Sequence, residues 1–277
     1  MNVFKGSDEY VVTNELMNAV NVSIALQKPL LIKGEPGTGK TMLAEAISKS
    51  LGMELIIWGI KSTTKAQEGL YVYDTVQRLY DSQFGEGNVG DIKQYIKLGK
   101  LGEAFNSDKQ VVLLIDEIDK ADLEFPNDLL WELDKMEFYI NETKETIKTK
   151  HRPIVIITSN AEKELPDAFL RRCIFHYIEF PDQEKMAEII KVHFGDIDRK
   201  LQEKSLDAFY EIRKMDSIQK KPSTSELLDW IQALMISGVD IKNLSKEMPF
   251  IGVLLKKNQD IDTMEEIKTK GYSLKRW

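Results

Sequence analysis

The sequence predicts an α/β fold, a parallel sheet wound on both faces by helices, followed by a smaller all-helical unit. Three observations predict it. A glycine-rich loop sits between an apolar strand-like run and a helical pattern, at Gly34-Glu35-Pro36-Gly37-Thr38-Gly39-Lys40-Thr41. Further buried-strand runs, Val111–Ile115 and Ile154–Ile157, alternate with helical stretches and stop abruptly at polar residues, Asp116-Glu117 and Thr158-Ser159-Asn160. Beyond Pro181 the periodicity is helical throughout.

The loop has the spacing of a phosphate-binding loop: a glycine, four residues, then Gly-Lys-Thr. Pro29-Leu30-Leu31-Ile32-Lys33 before it reads as a buried strand, and Met42 to Ile47 after it repeats apolar residues at helical spacing. The glycines let backbone N–H groups converge on one concavity, and the following helix adds the positive end of its dipole. In such a cradle Lys40 contacts the β- and γ-phosphates and Thr41 offers a hydroxyl to Mg²⁺.

At 277 residues the chain can bury a large core with a smaller one attached. Hydrophobic residues at 42% and charged residues at 30% describe an ordinary globular composition. The formal charge of -7 counts against general affinity for nucleic acid or an anionic membrane. A single cysteine, Cys173, forbids an intrachain disulfide and suits a reducing cytoplasm. No signal-peptide pattern is expected in the first ten residues, and no run approaches the roughly 18 apolar residues of a membrane helix.

In chain order, Thr13 or Asn14 caps a helix running to about Leu26, and Pro29 ends it. Gly52 closes the helix after the loop, and Glu54 to Trp58 reads as a second strand. The interval from Gly59 to Gln110 far exceeds the dozen or so residues of one crossover helix, so it holds extra structure. Ser62-Thr63-Thr64 through Tyr73 reads as an inserted loop or short helix, with Tyr71 and Tyr73 as an aromatic tip that either grips a client or packs at a surface. Phe125 to Met136 is helical, and Glu137 to Lys150 changes period to that of a hairpin with a charged tip. A short helix from Pro166 to Arg172 and a strand from Ile174 to Phe180 complete the sheet. The expected domains are therefore a nucleotide-binding core over 1–181 and a helical unit over 182–277.

The acids extend the reading from nucleotide binding to hydrolysis. Asp116, at a strand's carboxyl end, is placed to hold Mg²⁺ through water. Glu117 is the candidate base that orients and deprotonates a water for attack on the γ-phosphate. Asn160 closes the next strand with a neutral amide suited to the γ-phosphate or the attacking water. Arg171-Arg172 either complements a helix end or reaches into a neighbouring subunit's site as an arginine finger. His151, His176 and His193 have no metal-ligand spacing with one another or with Cys173.

In order, these motifs resemble those of a AAA+ ATPase: Gly-Glu-Pro-Gly-Thr-Gly-Lys-Thr, Leu-Leu-Ile-Asp-Glu-Ile-Asp, Thr-Ser-Asn and Leu-Pro-Asp-Ala-Phe-Leu-Arg-Arg, then a helical tail. Within that superfamily the chain resembles the MoxR family, most closely the branch associated with carbon monoxide dehydrogenase maturation. The resemblance implies a five-stranded αβα P-loop core, a helical lid, and a ring, usually a hexamer, with Mg²⁺-dependent ATP sites between subunits. It implies a nucleotide loop at Gly34 to Thr41, an insert in the second helix at about 59–73, a metal and base pair at Asp116 and Glu117, a hairpin at about 137–150 before a first sensor at Asn160, and a finger at Arg172 with Arg171 as the alternative. It further implies a partner with a von Willebrand factor A-type domain and a client enzyme that is remodelled or activated, often during metal-centre insertion. One element departs: where many members carry a second-sensor Arg, Pro222 to Leu227 offers Ser225, with Lys220 and Lys221 nearby as substitutes. The competing readings are a nucleic-acid motor or loader on the same core, which the acidic balance disfavours, a phosphotransferase working within one chain, and a scaffold that binds without hydrolysing, which Glu117 disfavours.

Overall fold

The computed structural model describes residues 3–7, 9–85, 88–160, 162–239 and 244–269. Two compact units divide the chain: the first takes in Val12–Glu35 and Gly39–Ile178, the second Pro36–Thr38 and the segment from Glu179 onward.

The strands of the first unit are β1 (Leu30–Gly34), β2 (Leu55–Gly59), β3 (Tyr71–Tyr73), β4 (Ile96–Leu98), β5 (Val112–Asp116), β6 (Glu137–Ile140), β7 (Glu145–Lys148), β8 (Ile154–Ser159) and β9 (Ile174–Ile178). Five of them form one parallel sheet in the order β2-β5-β8-β1-β9. Parallel strands are covered on both faces, which is why β5 and β8 are near-continuous Val, Ile and Leu and are buried along almost their whole length. Leu31, Trp58, Leu113, Ile115, Val155 and Ile157 pack with Leu101, Phe105, Phe125, Leu129 and Phe169 into the main core. The chain runs from β1 out to β2 and returns through β5 and β8, so the carboxyl ends of β1, β5 and β8 lie side by side. Ile32 of β1 pairs with Thr158 of β8, and Ile115 of β5 pairs with Ile157, which sets Asp116 beside Thr158.

The helix Asn14–Leu26 has the expected bounds: Thr13 caps it, its Oγ1 accepting the Leu16 N–H at 3.2 Å, and Gln27 in the left-handed conformation closes it before Pro29. The region after β2 departs from expectation. Residues 61–64 form a tight turn, with the Lys61 N–H donating to Thr64 Oγ1 at 2.9 Å, and the inserted excursion runs over 71–98 rather than about 59–73. It interrupts a helical path: Ala66–Leu70 leads in, antiparallel β3 and β4 enclose the helix Thr75–Phe84, and Lys100–Phe105 leads out. The ends abut because glycines stand there. A Cβ on Gly99 would lie 2.1 Å from Glu68 O, and one on Gly102 would lie 2.0 Å from Leu70 O.

Tyr71 is not an exposed tip. It is 3% exposed, its ring stacks on Phe138 of β6 at 6.2 Å, and its hydroxyl accepts the Asn141 N–H at 3.1 Å. The Tyr73 hydroxyl is engaged by Arg78 Nη1 at 2.5 Å. The exposed apolar side chains of the excursion are instead Val72 on β3 and Val76, Leu79, Tyr80 and Phe84 on a helix that buries none of its residues. β6 and β7 pair antiparallel from Glu137↔Lys148 to Ile140↔Glu145, and Lys144 takes the left-handed turn position.

From Glu179 on, the described residues form helices and their connections, with no strand among them. Asp182 caps Gln183–Phe194, Asp198 caps Arg199–Lys214, and Ser223 with Glu226 forms a capping box on Thr224–Ser237. Their apolar stripes meet at Met186, Ile190, Phe209, Ile212, Leu227 and Trp230, and this unit has its own core.

Candidate functional site

The site begins where β1 ends. Gly37 and Gly39 take left-handed φ values of 74° and 81°, which curls the loop so that the helix Lys40–Leu51 starts with its amides uncapped by any side chain. Lys40 is 6% exposed, and its Nζ folds back to donate to Gly34 O at 3.0 Å and Glu35 O at 2.8 Å. Burial pulls the ammonium below its usual range, opposed by the carboxylates of Asp119, Asp116, Glu117 and Glu35.

Thr41, one residue on, donates its hydroxyl to Asp116 at 3.1 Å and 3.3 Å from the two carboxylate oxygens. Asp116 also accepts the Thr158 hydroxyl at 2.6 Å, and the same Thr158 oxygen accepts the Glu117 N–H at 2.8 Å. Glu117 stands at φ 59°, a left-handed position that costs a non-glycine residue roughly 1–2 kcal/mol. Its carboxylate accepts the Asn160 side-chain amide at 2.9 Å and pairs with the Lys120 ammonium. That hydrogen bond is the main cause pushing the Lys120 ammonium upward. Asp119, 2% exposed, reaches the other way and accepts the Asn160 N–H at 3.3 Å and the Glu162 N–H at 2.9 Å. Thr158 thus ties β8 to the acids after β5, and Asp119 ties the segment after β5 to the end of β8.

The structure brings Thr41, Asp116, Glu117 and Asn160 into one crevice at the strand ends, where doubly wound sheets bind ligands. Of the arginine pair, Arg172 is engaged with other groups. Arg172 donates through Nε to Asp134 at 2.7 Å and through Nη1 to Ala168 O at 2.8 Å. Arg171 is exposed, and its side chain has no hydrogen-bond partner among the described residues. Burial pushes the Cys173 thiol up to about 12, which suppresses the thiolate a nucleophile needs. Among the described residues no group of three or more His, Cys, Asp and Glu side chains could hold a metal.

In the helical unit Ser225 Oγ lies 3.1 Å from Ser223 Oγ, and Lys220 Nζ lies 3.8 Å from Glu226. Arg213, which periodicity gave no reason to single out, stacks its guanidinium 3.4 Å from the Phe180 ring centroid and donates to Pro222 O at 2.6 Å. Thr158, Asp119 and Lys120 were likewise not singled out. The available signals are a hydroxyl after a run of four apolar strand residues and a third acid three positions after Asp116.

Residues 30–182 match the family model described as "ATPase family associated with various cellular activities (AAA)". The match covers more than half of the chain, and the chain belongs to that family of ATPases. Its similarity to curated proteins runs to Pachytene checkpoint protein 2 of Saccharomyces cerevisiae, 26% identical over 62% of this chain and 32% of the relative. The homologs from Canis lupus familiaris and Homo sapiens are 28% and 27% identical, each over 68% of this chain and 42% of the relative. The chain thus spans 32% to 42% of the length of these relatives.

Proposed function

We propose that this chain is a Mg²⁺-dependent AAA+ ATPase of the remodelling type, working as a ring, usually hexameric in such proteins, with a core over 1–181 and a helical lid over 182–277. The observation that carries the reading is the meeting of Glu117 with Asn160 at 2.9 Å beside the Thr41–Asp116 pair. A water held between a carboxylate and a neutral amide has both an acceptor for its proton and a donor that fixes its orientation. Attack forms an O–P bond to the γ-phosphorus, the proton passes to Glu117, and the bond to the bridging oxygen of ADP breaks. Lys40 exchanges two loop carbonyls for phosphate oxygens, and the loop amides of Gly34 to Thr41 surround the rest of the triphosphate.

Thr41 and Asp116 fit Mg²⁺. They present a hydroxyl and a carboxylate at adjoining positions, the hard oxygen set of an ion that keeps most of its waters. Bound there, the ion would neutralise charge on the β- and γ-phosphates.

Of the two arginines that the resemblance offers, Arg172 first and Arg171 as its alternative, this reading takes Arg171 for the neighbouring subunit's γ-phosphate, because its side chain is open while Arg172 pairs with Asp134 within the single chain. The exposed Val76, Leu79, Tyr80 and Phe84 favour a protein client over a small acceptor. The order of motifs and the excursion over 71–98 support the MoxR-type assignment, and with it maturation of a client enzyme alongside a partner carrying a von Willebrand A-type domain.

The test is ATPase rate per chain as concentration rises, followed by mixing of Arg171→Ala with Glu117→Gln, each inactive alone. Mixed rings pair an intact Glu117 with a neighbour's intact Arg171, so activity returns. A rate that stays flat down to concentrations where the chain is monomeric, or mixtures that stay inactive, would refute an intersubunit site.

A further inference from the structure

We propose that Thr158 is a positioning residue for hydrolysis, one hydroxyl that sets both the metal-binding carboxylate and the general base. The proposal rests on the assignment of Asp116 and Glu117 above.

Thr158 is fully buried at the end of β8, after four apolar residues. A valine or isoleucine would suit that strand position as well, so the hydroxyl is not explained by packing. Its oxygen is used twice. The Glu117 backbone N–H can only donate, so at 2.8 Å it takes a lone pair of Oγ1. The Asp116 carboxylate can only accept, so at 2.6 Å it takes the Thr158 proton. The direction of both bonds is therefore fixed, and the stiff β-branched side chain holds Oγ1 in place.

Each bond has a distinct consequence. The first holds the backbone of Glu117 in its left-handed conformation, from which the side chain reaches Asn160 and Lys120. The second, with the Thr41 hydroxyl, orients the carboxylate of Asp116. Without the hydroxyl, a buried amide N–H has no acceptor and Asp116 loses its shortest donor. Glu117 can then leave the strained conformation that aims it, while the phosphate loop keeps every bond it has.

The experiment compares wild type with Thr158→Val, Thr158→Ser and Glu117→Gln in steady-state ATPase assays over ATP and Mg²⁺, alongside binding of a fluorescent non-hydrolysable ATP analogue. Thr158→Val should lower kcat by about 10- to 100-fold, the effect of one buried unsatisfied donor on the aim of the base. Analogue affinity at saturating Mg²⁺ should stay within about threefold of wild type, and half-maximal activity should need more Mg²⁺. Thr158→Ser should recover turnover to within about threefold, since it restores the hydroxyl and lacks only a methyl group. Should Thr158→Val not fold, Thr158→Cys takes its place, keeping volume while hydrogen-bonding only weakly.

Wild-type kcat in Thr158→Val beside an inactive Glu117→Gln would overturn the proposal and leave the reading of Glu117 intact. Equal defects in the serine and valine variants would also overturn it, by showing that packing is what matters. Near-wild-type turnover by Glu117→Gln would overturn the assignment of the base and this proposal with it.

Discussion

Replacing Asp119 by asparagine tests whether the tie between the two strand ends serves catalysis or only stability. Asp119 is 2% exposed, and its two oxygens accept separate backbone N–H groups, Glu162 at 2.9 Å and Asn160 at 3.3 Å. An amide in its place offers one acceptor and one donor, so the oxygen keeps the shorter bond and an NH₂ group faces the Asn160 N–H. One unsatisfied donor costs about 1–3 kcal/mol. In a cooperative unit of this size that lowers Tm by roughly 2–4 °C per kcal/mol. The carboxylate also heads the four acids that oppose the burial-driven fall of the Lys40 pKa, so its loss lets that pKa fall further. The backbone that shifts carries the Asn160 side chain, whose amide reaches Glu117 at 2.9 Å, and a displacement of order 1 Å at such a group costs up to about 10²-fold in rate. Denaturant unfolding and ATPase assays over a range of ATP concentrations separate these effects. A variant destabilised as calculated yet unchanged in kcat would show that Asp119 serves the fold alone. An undiminished stability would refute the paired hydrogen bonds themselves.

Two further outcomes follow from the rest of the unit. Gly99→Ala would set a Cβ 2.1 Å from Glu68 O and 2.5 Å from Gly69 O, both backbone atoms, so the abutting helix ends must separate. A loss of about 1–3 kcal/mol in unfolding free energy is expected, and an unchanged denaturation midpoint would contradict the close approach. Burial lowers the His176 pKa, with the Glu15 carboxylate opposing, so the unfolded chain binds the imidazole proton at higher pH than the folded one. Stability is then full above the ordinary histidine value of about 6.5 and falls as pH drops through it toward the lower folded pKa. His176→Gln should flatten that part of the pH–stability curve, and an unaltered slope would place the titration elsewhere.

The parts of the site legible in the sequence were those that local chemistry dictates. A loop that must curl around phosphates needs glycine at Gly37 and Gly39, both of which the structure places at positive φ, and a strand end that presents acids to a crevice reads directly as Ile115-Asp116-Glu117. What stayed hidden depends on partners distant in the chain. Tyr71 looked like an exposed tip because nothing near it in sequence covers it; Phe138 and Asn141, brought by the β6–β7 hairpin, do. The excursion over 71–98 was misplaced because its boundaries are set by Gly99 and Gly102 meeting the carbonyls of Glu68 and Leu70, and periodicity does not carry such contacts between separated segments. Thr158 and Asp119 fall between these cases. Each is a polar residue that its own segment does not require, and each finds its partners one strand away. A hydroxyl or carboxylate at a buried strand end is stable only if neighbouring groups satisfy it, so its presence there implies that the adjoining strand end supplies those groups. Thr158 and Asp119 therefore specify the relation between the acids after β5 and the amide after β8, and it is on that relation that the assignment of Glu117 as the base depends.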